Sequence, residues 1–330
     1  MRALVVKGHD GASRSLELRE MPVPQPGAGE VLIRVAASPI NPNDLLALKD
    51  DYEVDKPVGS IAGFEGSGQV VRGEGFMARF MVGKRVAFAA GDASGAWAEF
   101  AITRAMRCVP LRAAVGFDAG ATLLTNPLTA SVLVQRARRE KHRAVVQAAA
   151  AGALGRMVAR LALKTGLTMI HVVRGPAQVD ALRALGAEHV LDSRASGFED
   201  ELKALCKRLG ATLALDPIAG EMTGTLLRAL EPGGIVRVYG SLSGEPVRAD
   251  TSEILFARKR VEGFTMYEWI ETTSLLGQVR TAAAAQSMLD GPLATEVRSR
   301  VPLEEYADAI DGYERSMSGG KVLLLPNGTG

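Results

Sequence analysis

The chain of 330 residues has only two cysteines and four histidines. Cys108 and Cys206 lie far apart, so they form neither a CxxC pair nor a disulfide framework. Its 39 basic and 37 acidic residues nearly balance, and the basic ones form only short clusters, which argues against nucleic-acid binding. We therefore expect a cytoplasmic, reducing setting and no nucleic-acid partner.

Long apolar runs are also missing. The first residues, MRALVVKGHDG, meet charge before an apolar run reaches the length of a signal-peptide core. The alanine-rich centre is interrupted by Gln147, Arg156, Arg160 and Lys164, which argues against a membrane-spanning helix. No membrane partner is expected.

The chain length and the alternation of strand, turn and helix patterns predict two domains of the α/β class. A single core usually stops growing at about 250–300 residues. Residues 1–117 alternate short apolar runs with Pro- and Gly-rich turns, which is typical of a β-rich domain. Residues 118–268 alternate apolar strands with amphipathic helices, which predicts a doubly wound parallel sheet. Residues 269–330 end in the strand Lys321–Leu325 and are expected to return to the first domain.

Hydrophobic periodicity predicts the elements of the second domain. Strands are predicted at Arg143–Ala148, Thr168–Val173, His189–Asp192, Thr212–Asp216, Gly234–Tyr239 and Val261–Met266, and helices at Gly155–Lys164, Val179–Leu185 and Phe198–Leu209.

The stretch VVQAAAAGALGRM joins the first of these strands to the first helix. Ala149, Gly152 and Gly155 occupy the three spaced small positions of a dinucleotide-binding turn, with Ala153 and Leu154 between the glycines. Ala149 replaces the first glycine, so its backbone must stay in a region open to a residue with a Cβ. The alternative is that the small residues serve close packing of helix on strand alone.

The next strand decides between the two nicotinamide coenzymes. An acidic residue at its end selects NAD, whereas a basic residue accommodates the 2′-phosphate of NADP. Met169–Val173 ends without an acid and runs into Arg174, which favours NADPH. Alternatively, Arg174 is an ordinary surface residue.

The segments MRALVVKG, EMPVPQPGAGEVLIRV, AAAAGALG and GGKVLLLP resemble the medium-chain dehydrogenase/reductase superfamily, and the likeness covers essentially the whole chain. The resemblance implies a GroES-like catalytic domain, a Rossmann coenzyme domain and an active site in the cleft between them. It also implies dimers or tetramers, of which we expect a homodimer.

The resemblance also allows the zinc-ligand positions of the superfamily to be compared with this sequence. In the zinc branch a Gly-His-Glu motif supplies a histidine, but the matching residues here are Gly63, Phe64 and Glu65, and phenylalanine cannot bind the metal. The first catalytic cysteine is replaced within Ile40–Asp44, and two cysteines cannot build a four-cysteine lobe. We expect no zinc and interpret Glu65 as a structural carboxylate.

Further segments narrow the resemblance. SPINPNDLLALKDDY, TNPLTA, VYGSLSGEP and GFTMYEW resemble the zinc-free 2-enoyl thioester reductases and their quinone reductase relatives. The implied function is NADPH-dependent reduction of an activated C=C bond in a small-molecule substrate, first of all a 2-enoyl thioester. The alternatives are an NADPH:quinone oxidoreductase, and an NADPH-binding protein with little catalysis that acts through partner or RNA binding.

Site residues are carried over from the same resemblance. Tyr52 matches a tyrosine that faces substrate, and its hydroxyl would donate to the oxygen on which negative charge develops. Without the resemblance, Tyr52 would be interpreted as part of an exposed charged loop. Asn41 and Thr129 would orient the nicotinamide or the substrate, and Thr265 stands where tryptophan is common in enoyl reductases. The coenzyme groove would be lined beyond the fifth strand by Tyr239, Gly240, Ser241, Leu242 and Ser243.

Overall fold

The computed structural model describes residues 1–49, 56–91, 94–317 and 319–328. The chain forms two compact units. The first contains Met1–Pro127, Ala285–Asp290 and Ala294–Gly330, and the second contains Leu128–Ala284 and Gly291–Leu293.

The strands of the described chain are β1 (Arg2–Val6), β2 (Leu16–Glu20), β3 (Glu30–Pro39), β4 (Glu65–Gly73), β5 (Arg85–Ala89), β6 (Phe100–Arg104), β7 (Cys108–Pro110), β8 (Ala144–Gln147), β9 (Thr168–Val173), β10 (His189–Asp192), β11 (Ala211–Asp216), β12 (Ile235–Val238), β13 (Arg260–Gly263), β14 (Val297–Val301) and β15 (Lys321–Leu324). Its α-helices are α1 (Pro42–Ala47), α2 (Phe76–Arg79), α3 (Phe117–Ala121), α4 (Asn126–Arg139), α5 (Ala153–Thr165), α6 (Pro176–Ala184), α7 (Phe198–Leu209), α8 (Glu221–Ala229), α9 (Thr251–Leu255), α10 (Met266–Thr272), α11 (Leu275–Gln286) and α12 (Tyr306–Arg315).

The first unit is built around the long strand β3. It pairs antiparallel with β4 on one edge, and with β6 and β15 on the other. The closing strand β15 therefore belongs to the amino-terminal sheet. Trp97 is fully buried and its indole N–H donates to the Pro39 carbonyl at 3.2 Å. Gly63 (φ +88°) lies against this ring, where a Cβ would come within 2.4 Å of Trp97 Cδ1.

The second unit is a doubly wound parallel sheet, as predicted. The order of its six strands is β10-β9-β8-β11-β12-β13. Helices α5 and α6 cover one face, where Ala159 and Leu182 pack, and α7 and α8 cover the other, where Leu202 and Leu226 pack. Because both faces are covered, the central strands β8 and β11 are almost wholly buried. The strand order reverses between β8 and β11, which is where such sheets bind ligands.

The last predicted strand of this unit extends to the residue where a helix begins. Val261–Met266 was expected to be extended, but β13 ends at Gly263 and α10 begins at Met266. The Thr265 hydroxyl accepts a hydrogen bond from the Glu268 N–H at 3.1 Å and caps this helix. A local capping interaction therefore ends the extended segment early.

Candidate active site

The small-residue turn after β8 has the geometry of a phosphate cradle. Ala149 has φ +50°, in the small left-handed region that a residue with a Cβ can still occupy. Gly152 precedes the first residue of α5. A Cβ on Gly155 would lie 2.5 Å from the Ala150 carbonyl oxygen, so no larger residue fits there. The same contact keeps helix and strand close together, so Gly155 also serves packing.

The first turn of α5 can bind an anion. The leading N–H groups of a helix have no partner within it, and the helix dipole is positive at this end. Gly152, Ala153 and Leu154 are half-buried, so the start of the helix is partly open to solvent. This combination fits the pyrophosphate of a dinucleotide.

A buried side-chain pair fixes the turn to the sheet. The Gln147 amide donates to the Gly155 carbonyl at 3.0 Å and to His171 Nδ1 at 2.9 Å. Burial lowers the pKa of His171 to about 4, which keeps the ring neutral and able to accept. The sequence interpretation missed this pair, because strand periodicity does not identify cross-strand partners.

Two arginines follow neighbouring strands at one edge of the sheet. Arg174 is exposed directly after β9, and its N–H donates to Gln178 Oε1 at 2.9 Å. Asp192, at the end of β10, accepts from the N–H groups of Gly175 at 2.7 Å and Arg194 at 3.0 Å. These hydrogen bonds lower the pKa of Asp192 and hold the exposed Arg194 near the start of α6. The sequence interpretation missed Arg194, although a basic residue after the third strand was a usable signal.

The segment after β12 runs along the loop that follows β11. Three backbone N–H groups of this segment donate to carbonyls of that loop: Tyr239 to Asp216 at 2.9 Å, Leu242 to Pro217 at 3.0 Å and Ser243 to Ile218 at 2.9 Å. Gly240 approaches this loop so closely that a Cβ would lie 2.9 Å from the Pro217 carbonyl oxygen. Ser241, Leu242 and Ser243 are exposed, whereas Tyr239 is half-buried. Backbone hydrogen bonds therefore hold this segment against the loop after β11, and we call residues 239–243 the shelf.

The predicted coenzyme residues share one edge of the parallel sheet. They follow β8, β9 and β12, and the carboxyl ends of parallel strands meet at the same edge. The residues are Ala149, Gly152, Ala153, Leu154, Gly155, Arg174, Tyr239, Gly240, Ser241, Leu242 and Ser243.

A second candidate region lies in the first unit, where polar side chains are buried together. We call this set the Lys321 cluster, and its members are Asn41, Asp44, Glu65, Tyr313 and Lys321. The Lys321 ammonium donates to the Ile40 carbonyl at 3.2 Å, the Tyr313 hydroxyl at 3.1 Å and Asn41 Oδ1.

The two carboxylates of the cluster are also hydrogen-bonded. Glu65 accepts from Asn41 Nδ2 at 2.9 Å and from the Thr125 N–H at 3.0 Å. Asp44 accepts from the N–H groups of Asn41 at 2.8 Å and Phe64 at 3.0 Å, which caps α1. These bonds tie α1, β4 and β15 together at one end of the sheet.

Burial shifts the titration of these groups. It raises the pKa of Asp44 to about 7 and also raises the pKa of Glu65. It lowers the pKa of Lys321 to about 8, although the neighbouring carboxylates act in the opposite direction. The sequence interpretation missed Lys321, because the GGKVLLLP segment gave only a family likeness and a strand.

The three predicted catalytic residues differ in their burial, in their hydrogen bonds and in whether the structure describes them. Asn41 is 1% exposed, and both ends of its amide are already bonded. Thr129 lies in the first turn of α4 and is 8% exposed. Tyr52 lies outside the described residues. The catalytic assignments of all three stay predictions.

Two features are absent from the part of the chain that the structure describes. Within it, no group of three or more His, Cys, Asp or Glu side chains is arranged to hold a metal ion. In the same residues, no helix has both the length and the apolar character needed to cross a bilayer.

Comparison with known proteins agrees with this architecture. Residues 27–113 match the family model of the alcohol dehydrogenase GroES-like domain, and residues 153–280 match that of the zinc-binding dehydrogenases. The chain is 28% identical to the mitochondrial enoyl-[acyl-carrier-protein] reductase of Bos taurus, over 98% of this chain and 88% of that protein. A Caenorhabditis elegans protein of the same name is 29% identical, over 98% of this chain and 94% of its own length.

Solved structures give the same result. A crystal structure from Mesorhizobium loti, assigned as an NADPH:quinone reductase, has a TM-score of 0.91 and 31% identity, and the match covers 99% of this chain and 98% of the other. A 2-haloacrylate reductase, at 21% identity and a TM-score of 0.83, shares the fold.

A β-rich unit and a parallel-sheet unit with a dinucleotide-type turn define a two-unit dinucleotide-binding architecture. The chain belongs to the medium-chain dehydrogenase/reductase superfamily. It is a reductase of that superfamily.

Proposed function

We propose that this reductase uses NADPH to reduce the C=C bond of a 2-enoyl thioester. The observation that carries the proposal is the turn between β8 and α5, with its close Gly155 contact and partly open helix N-terminus. The acceptor class is supported by the relatives from Bos taurus and Caenorhabditis elegans, whose names state enoyl-[acyl-carrier-protein] reductase.

We assign a role to each predicted coenzyme residue at the carboxyl edge of the parallel sheet. The N-terminus of α5 binds the pyrophosphate, and Arg174 together with Arg194 binds the 2′-phosphate. The shelf from Tyr239 to Ser243 lines the groove. When bound, NADPH supplies the hydride. Small residues at the turn matter because any added side chain would occupy the space of the phosphates.

The Tyr52 hydroxyl is the predicted hydrogen-bond donor to the substrate oxygen that becomes negatively charged. Hydride addition at the β-carbon places negative charge on the thioester oxygen, and a positioned hydroxyl stabilises it. The Lys321 cluster caps α1, which ends shortly before Tyr52 in sequence. Asn41 would have to exchange one of its hydrogen bonds within this cluster to orient substrate or nicotinamide directly.

Quinone reduction is the second candidate function. It is favoured by the Mesorhizobium loti structure, which has the higher identity among the compared proteins. A quinone forms no thioester enolate, so a hydroxyl donor matters less. The candidate from another class is an NADPH-binding protein with little catalysis that acts through partners or RNA.

The experiment compares wild type with Tyr52→Phe on 2-enoyl thioesters, enones and quinones, and follows NADPH oxidation in the presence of a chelator. We expect thioester turnover that survives the chelator, and a loss of about 10²-fold in kcat for Tyr52→Phe, the scale for removing one preorganised donor. NADPH affinity should stay the same in both proteins. Turnover of quinones alone would support the quinone reductase, and NADPH binding without turnover would support the non-catalytic alternative.

The metal requirement, the cellular location and the oligomeric state are also proposals. We propose a zinc-independent enzyme that acts in the cytoplasm as a homodimer. For the dimer, β13 pairs only with β12 among the described strands, so its other edge offers backbone groups to a partner. Exposed apolar side chains that a second copy could cover lie before and after β13 in sequence, namely Leu255, Phe256, Tyr267 and Leu275.

A further inference from the structure

An exposed apolar surface lies at one end of the first unit. We call it the apolar tip, and its members are Phe76, Met77, Phe80 and Met106, which are 77%, 68%, 62% and 86% exposed. The Phe76 and Phe80 rings contact edge to face, with centroids 4.8 Å apart. A soluble monomer rarely leaves large apolar side chains grouped in this way without a partner.

The backbone presents these side chains rigidly. Gly73 packs against α2 so closely that a Cβ would lie 2.3 Å from the Ala78 carbonyl oxygen, and Ala78 is fully buried. Gly75 precedes the helix with φ +92°, a conformation that favours glycine. The exposed rings therefore stand on a tightly packed turn.

Two separate chain segments meet at the tip. The Gly29 N–H donates to the Glu74 carbonyl at 2.7 Å, and the Ala105 N–H donates to the Gly29 carbonyl at 3.0 Å. Gly29 thus brings the α2 turn and the turn that carries Met106 to the same end of β3.

The exposed charges of the two segments that form the tip have one sign. Every exposed charged residue in 71–84 and in 104–107 is basic, and we call this set the basic rim: Arg72, Arg79, Lys84, Arg104 and Arg107. The acidic residue of these segments, Glu74, is half-buried and pairs with Arg79 at 3.2 Å. Because the whole chain carries a formal charge of only +2, this concentration is local.

We infer that the apolar tip and basic rim dock on the surface of a bilayer that contains anionic phospholipids. Aromatic and aliphatic side chains that project between basic residues are the pattern of interfacial membrane binding. A second copy of this chain fits poorly, because a two-fold contact would bring the basic rim onto itself. The residues between Phe76 and Val82 include no neutral hydrogen-bonding side chain, whereas protein interfaces interleave such groups with their apolar anchors.

Docking at this place keeps the bilayer away from the Lys321 cluster. Strand β3 runs from Glu30, at the tip, to Pro39, next to the cluster. At about 3.3 Å per residue, the two ends lie about 30 Å apart. The sequence-based expectation of no membrane partner rested on the lack of a spanning segment, which surface docking does not require.

The test is co-sedimentation of the full chain with vesicles of phosphatidylcholine, with and without phosphatidylserine. We expect binding only to the vesicles with phosphatidylserine, and weaker binding as salt rises. The double variant Phe76→Ser/Phe80→Ser should bind at least about tenfold more weakly, because less apolar surface enters the bilayer. Lys84→Glu/Arg104→Glu should lose the preference for the anionic lipid.

Leu163→Ser is the matched control, since Leu163 is 49% exposed but lies on α5 in the second unit. It should bind vesicles like wild type, and all variants should keep the wild-type unfolding midpoint. Absence of vesicle binding, or equal binding by Phe76→Ser/Phe80→Ser, would overturn the inference. Binding to poly-glutamate that depends on Phe76 and Phe80, without vesicle binding, would overturn it in favour of an acidic protein partner.

Discussion

Lys321 is a fully buried ammonium that holds three parts of the first unit together. Its donors reach Asn41, Tyr313 and the Ile40 carbonyl, while Glu65 and Asp44 supply the opposing charge. Removing one partner of a buried ionic network leaves an uncompensated charge, which costs about 3–5 kcal/mol. We therefore predict that Lys321→Met lowers the free energy of unfolding by this amount in urea titrations at neutral pH. Lys321→Met/Glu65→Gln should recover part of the loss, and an equal loss in the double variant would contradict an electrostatic role.

The same residue should make stability depend on pH. The pKa of Lys321 is about 8 in the folded protein and 10.5 in its ordinary state, so between these values the unfolded chain binds more protons. Stability contributed by this group should then be lowest below pH 8 and rise toward pH 10.5. Comparing urea unfolding of wild type with Lys321→Met across this window isolates the contribution. Parallel pH curves for the two proteins would argue against it.

Arg174 is the residue that should select the coenzyme. A hydrogen bond to a charged group contributes roughly 1.5–3 kcal/mol, so Arg174→Ala should weaken NADPH binding by about 10- to 150-fold and leave NADH nearly unchanged. Arg194→Ala should act in the same direction, because Asp192 holds Arg194 at the same edge. Fluorescence titration of both coenzymes measures this, with the exposed Arg183→Ala on α6 as the control. Equal losses for NADPH and NADH would remove Arg174 from the 2′-phosphate site.

At the scale of elements, the turn before α5 carries backbone strain. Ala149 lies in the left-handed region (φ +50°), where a residue with a Cβ costs roughly 1–2 kcal/mol. Ala149→Gly should raise the free energy of unfolding by about 0.5–1 kcal/mol, because relief of strain exceeds the extra entropy of the unfolded chain. Ala151→Gly, in the same turn but without a positive φ, should lower it. Chemical denaturation of both variants tests this, and a destabilised Ala149→Gly would contradict the assigned strain.

Sequence periodicity predicted regular elements well where the pattern is uninterrupted. Thr168–Val173, His189–Asp192 and Phe198–Leu209 have the predicted bounds, since each is an apolar run or amphipathic stretch with clear ends. The end of β13 was missed because Thr265 and Glu268 form a cap, and this short-range interaction overrides the apolar pattern.

At the scale of the whole molecule, the sequence predicts which residues share the carboxyl edge of the parallel sheet. It does not predict the Lys321 cluster. Each predicted coenzyme residue follows a recognisable strand, and parallel sheets bring such positions together by topology alone. Asn41 and Lys321 are 280 positions apart in sequence. Only the pairing of β15 with β3 brings them into contact, and no local pattern encodes that pairing.

The central claim is that this chain transfers hydride from NADPH to the β-carbon of a 2-enoyl thioester. The most direct measurement is reduction of a short 2-enoyl thioester with NADPH that carries deuterium in place of both hydrogens of its hydride-donating carbon, followed by NMR of the product. The account predicts a saturated thioester with deuterium at the β-carbon and a solvent proton at the α-carbon. A saturated product without deuterium at the β-carbon, or oxidation of NADPH without any saturated product, would contradict it.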